Sequence, residues 1–307
     1  MMSAAAGIRA ILREGTRCLR ASGYEHARRE AEWLLSRLMD VQPLELYLAD
    51  RPVAPPVIEQ FLAHVRARSA GRPLQYLLRE AEFFGGRFAV QPGVFIPRPE
   101  TEAVVEAALE RLRPLEAARG RPLRLLDLGT GSGCIAVTLA ERLATCAVVA
   151  VELSWTALHT ARRNIIEHGM GARVSLIQGS WTQPLRGRFD GIIANPPYVP
   201  SASVEQLPLD VRQEPRVSLD GGPDGLREAR NILAQMPARL EPGGVAALEC
   251  GEHHVEVLQA DVTQRGWVET VHAIHDLAGR PRGVLIVRHG PTPHRSAGSR
   301  LLPHGQK

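Results

Sequence analysis

What the sequence lacks narrows its function first. Its 307 residues include four cysteines, Cys18, Cys134, Cys146 and Cys250, which are widely separated and form no C-x-x-C pair. That spacing argues against both a zinc site and a disulfide framework. No apolar run approaches the roughly 20 residues that cross a bilayer, and Met1 to Ala10 lacks the compact apolar centre of a signal peptide, so the expectation is a soluble, cytoplasmic protein with no membrane partner. Excess of either charge is scarce as well. The net charge is +4 and is carried almost wholly by arginine, with lysine only at Lys307. So mild an excess, without a strong basic stripe, predicts no direct nucleic-acid binding. Internal repeats are absent, and a monomer is expected.

What is present is enough apolar material, 44% of residues, for one large domain and a small one. From residue 8 to about 75 the apolar positions fall at helical spacing: Ile8, Ile11, Leu12 and Leu19; Ala31, Leu34, Leu35 and Leu38; Ile58, Phe61, Leu62 and Val65. Prolines 43, 52, 55 and 56 punctuate them. This predicts a small helical bundle over 1–75, with Trp33 and Tyr47 as core aromatics and the scattered arginines on solvated faces. Nothing in the bundle has catalytic spacing, so by elimination its role is recognition of a macromolecular partner. Between 76 and 100, Phe83 to Val90 alternates around Gly85-Gly86, a hairpin signal. Pro97-Arg98-Pro99 then reads equally as a wall of a site or as a structural linker, and Glu100 or Thr101 starts a helix.

From 101 to 290 the chain alternates strand and helix. Leu125 to Leu128 runs as a strand into Gly129-Thr130-Gly131-Ser132-Gly133 and then a helix. Such a turn lets backbone approach a ligand closely. The glycines fall as G-x-G-x-G and not as the G-x-G-x-x-G of a dinucleotide-binding turn. Asp127, two positions before the first glycine, suits the amino group of an amino-acid ligand and would repel a pyrophosphate. A second strand, Ala147 to Val151, ends in Glu152, whose carboxylate can accept both hydroxyls of a ribose. Adenosine plus an amino acid without phosphate describes S-adenosylmethionine. A third strand (173–178) is followed by Trp181, read as a core aromatic or as a wall for adenine, the strand-end position favouring the second.

The fourth strand, Phe189 to Ala194, delivers Asn195-Pro196-Pro197-Tyr198. A planar NH2 is a poor nucleophile because its lone pair is delocalised. The Asn195 side-chain oxygen and the Pro196 carbonyl are two acceptors able to converge on its N–H bonds, and Tyr198 offers a surface for a flat amide or base. The same four residues also read as a Pro-rich turn, and the coincidence of four strand ends around one pocket favours the chemical reading. Strands at 244–249, 268–275 and 283–289, with helices at 224–236 and 255–264, bring the sheet to seven strands. Glu252-His253-His254 reads as a helix start and not as a metal site, because adjacent side chains diverge and no third ligand is spaced for it. Residues 291–307 are polar and rich in Gly, Pro and His, which predicts disorder.

The 127–133 turn, Glu152, the Asn-Pro-Pro-Tyr tetrad, Ile96 to Glu102, Glu214-Pro215-Arg216 and Leu219 to Leu226 together resemble the PrmC/HemK family of release factor glutamine methyltransferases, over about residues 8–290. The resemblance implies an α/β fold, a seven-stranded Rossmann-like class I methyltransferase domain behind an all-α helical domain. It also implies transfer of a methyl group to the side-chain amide nitrogen (N5) of the glutamine in the Gly-Gly-Gln motif of class 1 peptide chain release factors. The cofactor contacts it implies are Asp127, Leu128, Gly129, Thr130, Gly131, Glu152, Trp181 and Asn195; the substrate contacts are Asn195, Pro196, Pro197 and Tyr198, with Asn195, Pro196 and Tyr198 catalytic and no metal. Alternatives are an N-methyltransferase acting on a ribosomal-protein glutamine or on adenine N6, and a non-catalytic adaptor for release factor or ribosome.

Overall fold

The computed structural model describes residues 7–48 and 50–290; the tail 291–307, for which composition predicts disorder, lies outside them. The chain begins with helices α1 (Ile8–Ala21), α2 (Ala27–Met39), α3 (Pro55–Ser69) and the short α4 (Leu74–Leu78). The apolar stripes of α1, α2 and α3 close on one another in a single core that includes Ile11, Leu19, Leu34, Leu35, Phe61 and Val65, as helical periodicity requires.

Two expectations for this bundle fail. Trp33 and Tyr47 are not core residues: they are 40% and 37% exposed. Arg29 lies over the Trp33 ring and Arg28 over the Tyr47 ring, while the Tyr47 hydroxyl bonds Glu32. The rings are satisfied at the surface by cations above them and, for tyrosine, a polar partner at the tip. Conversely, Arg68 is not solvated. It is 6% exposed, paired with Glu30 at 2.7 Å and with Asp210 at 3.1 Å, and its guanidinium carbon stacks 4.0 Å from the centre of the Tyr24 ring.

Strands β1 (Glu80–Phe83) and β2 (Gly86–Ala89) form the expected hairpin. Its two-residue turn, Phe84-Gly85, has positive φ at both positions, the primed geometry that suits the twist of a tight hairpin. Helix α5 (Pro99–Arg119) follows. It begins at Pro99, ahead of Glu100 and Thr101, because proline at the first helical position has its φ already set and no N–H to satisfy.

The main sheet contains β3 (Leu123–Leu128), β4 (Cys146–Glu152), β5 (Val174–Gln178), β6 (Phe189–Ala194), β7 (Leu240–Glu249), β8 (Val268–His275) and β9 (Pro281–Arg288) in the order β5-β4-β3-β6-β7-β9-β8. The first five are parallel, and β9 is antiparallel to both neighbours. Helices α5, α6 (Cys134–Arg142) and α7 (Trp155–Glu167) contribute to one core cluster; α8 (Arg227–Arg239) and α9 (Val255–Thr263) contribute to another. Helix α8 starts at Arg227 and not at Asp224, whose carboxylate instead accepts from the Leu226 N–H in the preceding turn. His253 and His254 lie in a 3₁₀ turn leading into α9. Strand order reverses between β3 and β6, and in open parallel sheets the crevice beyond that point is where ligands bind.

Candidate active site

Each strand of the parallel half stops at the same edge. β3 ends at Leu128 and hands the chain to the glycine turn, where Gly129, Gly131 and Gly133 all have positive φ. β4 ends at Glu152, whose Oε2 accepts from Gly131 N–H at 2.9 Å and whose Oε1 accepts from the N–H groups of Leu153 and Ser154. The carboxylate therefore fixes the turn's position while it faces the same space. That space is a cavity of about 670 Å³ lined by Gly129, Thr130, Gly131, Glu152, Trp181 and Asn195, with Phe95, Pro97, Thr101 and the Pro215–Ser218 segment opposite. Its volume falls within the range of small-molecule sites.

Asp127 and Leu128 are not on the cavity wall. Both are fully buried beneath it, Leu128 in the sheet core and Asp127 under the turn. Asp127 Oδ2 accepts from the Thr130 hydroxyl at 2.5 Å and from Ala136 N–H at 3.1 Å, and Oδ1 has no partner. Burial pushes this carboxyl up to about 7, against the opposing pull of those two hydrogen bonds. Trp181 lines the cavity in a left-handed backbone conformation (φ 48°), and its indole N–H donates to Glu228 at 2.9 Å. Its ring closes over Gly129, where a Cβ would come within 3.3 Å of it.

Of the tetrad, Asn195 and Pro197 line the cavity; Pro196 is buried, and Tyr198 is half-buried with its hydroxyl 3.4 Å from Glu249. Asn195 Nδ2 donates to Thr101 Oγ1 at 3.1 Å, which leaves Oδ1 as the free acceptor of that amide among the described residues. Pro97 is a wall residue and Arg98 a structural one, so both readings of that segment hold for different side chains. Arg98 pairs with Glu214, which also accepts from Ile96 N–H at 2.9 Å. Burial raises the Glu214 carboxyl and Arg98 opposes it. This pair ties the Pro215–Ser218 wall to the segment before α5. Glu228 and Glu249 had no assigned role from the sequence, and Thr101 only that of a helix start. Their placement depends on partners far along the chain, 94 residues away in the case of Thr101 and Asn195.

The sheet order, the glycine turn beside a strand-end carboxylate and the Asn-Pro-Pro-Tyr edge define a class I methyltransferase. Comparison with known proteins agrees. The chain matches the PrmC N-terminal domain over residues 10–78 and the methyltransferase small domain over 87–208. It is 42% identical to the release factor glutamine methyltransferase of Moorella thermoacetica over 92% of this chain and 98% of that protein. It is 43% identical to that of Geobacter sulfurreducens over 82% of this chain and 86% of the relative. Among solved structures, the hMettl16 catalytic domain in complex with a MAT2A 3'UTR hairpin superposes with a TM-score of 0.52 at 16% identity, over 80% of this chain and 87% of that one, a likeness of fold. The chain belongs to the release factor glutamine methyltransferase family. It is an S-adenosylmethionine-dependent methyltransferase.

The residues present suit that cofactor. The glycine turn brings bare backbone to the cavity, the Glu152 carboxylate beside it is of a kind that can accept ribose hydroxyls, and Asp127 keeps an unpartnered Oδ1 beneath the turn.

Proposed function

We propose that this protein methylates the side-chain amide nitrogen of the glutamine in the Gly-Gly-Gln motif of a class 1 peptide chain release factor, and thereby modulates translation termination. The observation that carries this reading is the Asn195 amide, held by Thr101 through its nitrogen so that its oxygen remains an acceptor at the cavity edge. The relatives, release factor glutamine methyltransferases, supply the substrate class.

In this reading Gly129, Thr130, Gly131, Glu152 and Trp181 hold S-adenosylmethionine, with Asp127 and Leu128 acting from beneath the turn. When bound, the cofactor supplies a methyl group already activated by positive sulfur. Asn195 Oδ1 and the Pro196 carbonyl accept the two N–H bonds of the substrate amide and orient its nitrogen, while Pro197 and Tyr198 pack against the amide plane. As the nitrogen becomes positively charged, the two acceptors stabilise that charge, and positioning does most of the work. No general base is required before attack, because the proton leaves once the nitrogen is cationic and acidic. The helical domain recognises the release factor, and the protein acts as a monomer in the cytoplasm, the compartment of translation, without itself binding nucleic acid.

Asn195→Ala tests this. Loss of one preorganised acceptor at a site of developing charge should lower kcat by about 10²- to 10³-fold, while calorimetry finds cofactor binding largely intact. An undiminished kcat would remove Asn195 from the chemistry.

A further inference from the structure

The tetrad is backed by a buried carboxyl that the reaction described above does not use. Glu249 ends β7, the strand beside β6, and the register pairs Ala194 with Leu248, so that Asn195 and Glu249 are the next residues on two neighbouring strands. Glu249 is 1% exposed, and its Oε2 has no hydrogen-bond partner. Its neighbours are the Thr101 and Tyr198 hydroxyls, Glu100 from α5 and Arg282 from β9, the last engaged with Asp276 at 2.7 Å. Tyr198 thus bonds it directly, while the buried Thr101 hydroxyl beside it accepts from the Asn195 amide and donates to no other group among the described residues.

The polarity of this relay has a consequence. An ionised carboxylate only accepts hydrogen bonds, so its unpartnered Oε2 is an acceptor to which the Thr101 hydroxyl beside it can only donate. The Thr101 oxygen is then left to accept, and only the NH2 end of Asn195 can serve it, as the 3.1 Å contact records. With its nitrogen engaged, Asn195 must present Oδ1 to a substrate N–H. A protonated Glu249 can donate to Thr101 instead, freeing that hydroxyl to donate to Oδ1 and turn the NH2 of Asn195 toward an incoming NH2, donor against donor.

We propose that Glu249 is a positioning residue that sets, through Thr101, which face of the Asn195 amide the substrate meets. This rests on the methyl transfer proposed above. Burial raises Glu249 to about 7, with Glu100 adding to the rise and Thr101, Tyr198 and Arg282 opposing it. Activity should therefore switch on as pH rises through that range, with the carboxylate as the active form.

The experiment uses the full chain with a class 1 release factor and S-adenosylmethionine. In the wild type, kcat should fall about tenfold for each pH unit below the midpoint, with KM for the release factor little changed. Glu249→Gln should lower kcat by about 10- to 100-fold at pH 8 through misorientation and abolish the acid limb, leaving S-adenosylmethionine affinity intact. Thr101→Val should reproduce the loss, and Thr101→Ser, which keeps the hydroxyl, should lose less. Should the reaction itself prove to be another, the ¹⁵N-labelled Asn195 side-chain amide still reports the relay: its resonance should titrate near pH 7 in the wild type and stay fixed in Glu249→Gln. Retention of the acid limb and of wild-type kcat in Glu249→Gln, or an Asn195 amide that titrates identically in both proteins, overturns the proposal. If Glu249→Gln does not fold, the Thr101 pair decides: equal loss in the valine and serine variants overturns it.

Discussion

Asp127 combines full burial, two donors and an acceptor oxygen with no partner. Its folded value of about 7 stands above the ordinary carboxylate range, so between about pH 4 and 7 the folded protein holds a proton that the unfolded chain has released. Its contribution to stability is therefore complete at the acid end of that window and is lost as pH rises through it. Thermal unfolding of the cofactor-free protein should show Tm falling from pH 5 to 7 more steeply than in Asp127→Asn. A wild-type and a variant curve of equal slope would mean that Asp127 is ionised throughout. The residue types and spacing at this scale were legible: a carboxylate before G-x-G-x-G, another at the next strand end, an asparagine locked by two prolines. What was not legible was depth. Sequence placed Asp127 and Leu128 beside the ligand, and folding puts both beneath the turn, because a strand entering a buried sheet hides both of its faces before it reaches the edge.

Among elements, the strands were the most legible, since short apolar runs bounded by turn residues mark a buried parallel sheet. Helix starts were less so, as α5 and α8 show: a proline moved one start forward, and a side chain that caps a turn moved the other back. The glycine turn between β3 and α6 is where backbone conformation and ligand approach meet. Gly129 has φ 73°, and a Cβ there would lie 3.3 Å from the Trp181 ring. Gly129→Ala should cost about 1–2 kcal/mol of stability from the left-handed conformation alone and should weaken S-adenosylmethionine binding further by displacing Trp181. Denaturant unfolding and calorimetry measure the two separately. An alanine variant that binds the cofactor normally would show that the turn tolerates the side chain and that Trp181 is not held against it.

At the scale of the whole molecule, the helical bundle is joined to the catalytic domain by a buried cation. Arg68 of α3 pairs with Glu30 of α2 and reaches Asp210 in the segment between the tetrad and the Pro215–Ser218 wall. Sequence alone gave no sign of this, because those partners lie 38 and 142 positions away and a lone arginine on a helix reads as solvated. Arg68→Ala leaves the Glu30 carboxylate buried without its partner and should destabilise by about 3–5 kcal/mol. Asp210→Asn removes only the half-exposed arm, so it should cost less than about 1 kcal/mol and leave cofactor affinity unchanged. Equal stability of the two variants in chemical denaturation would place the ion pair outside the energetics of the bundle. All of this serves one reaction on one side chain. The most direct measurement is therefore mass spectrometric mapping of a class 1 release factor incubated with the protein and S-adenosylmethionine. One added methyl on the glutamine of Gly-Gly-Gln is the predicted result; a release factor left unmodified by protein that binds the cofactor would contradict the assigned substrate.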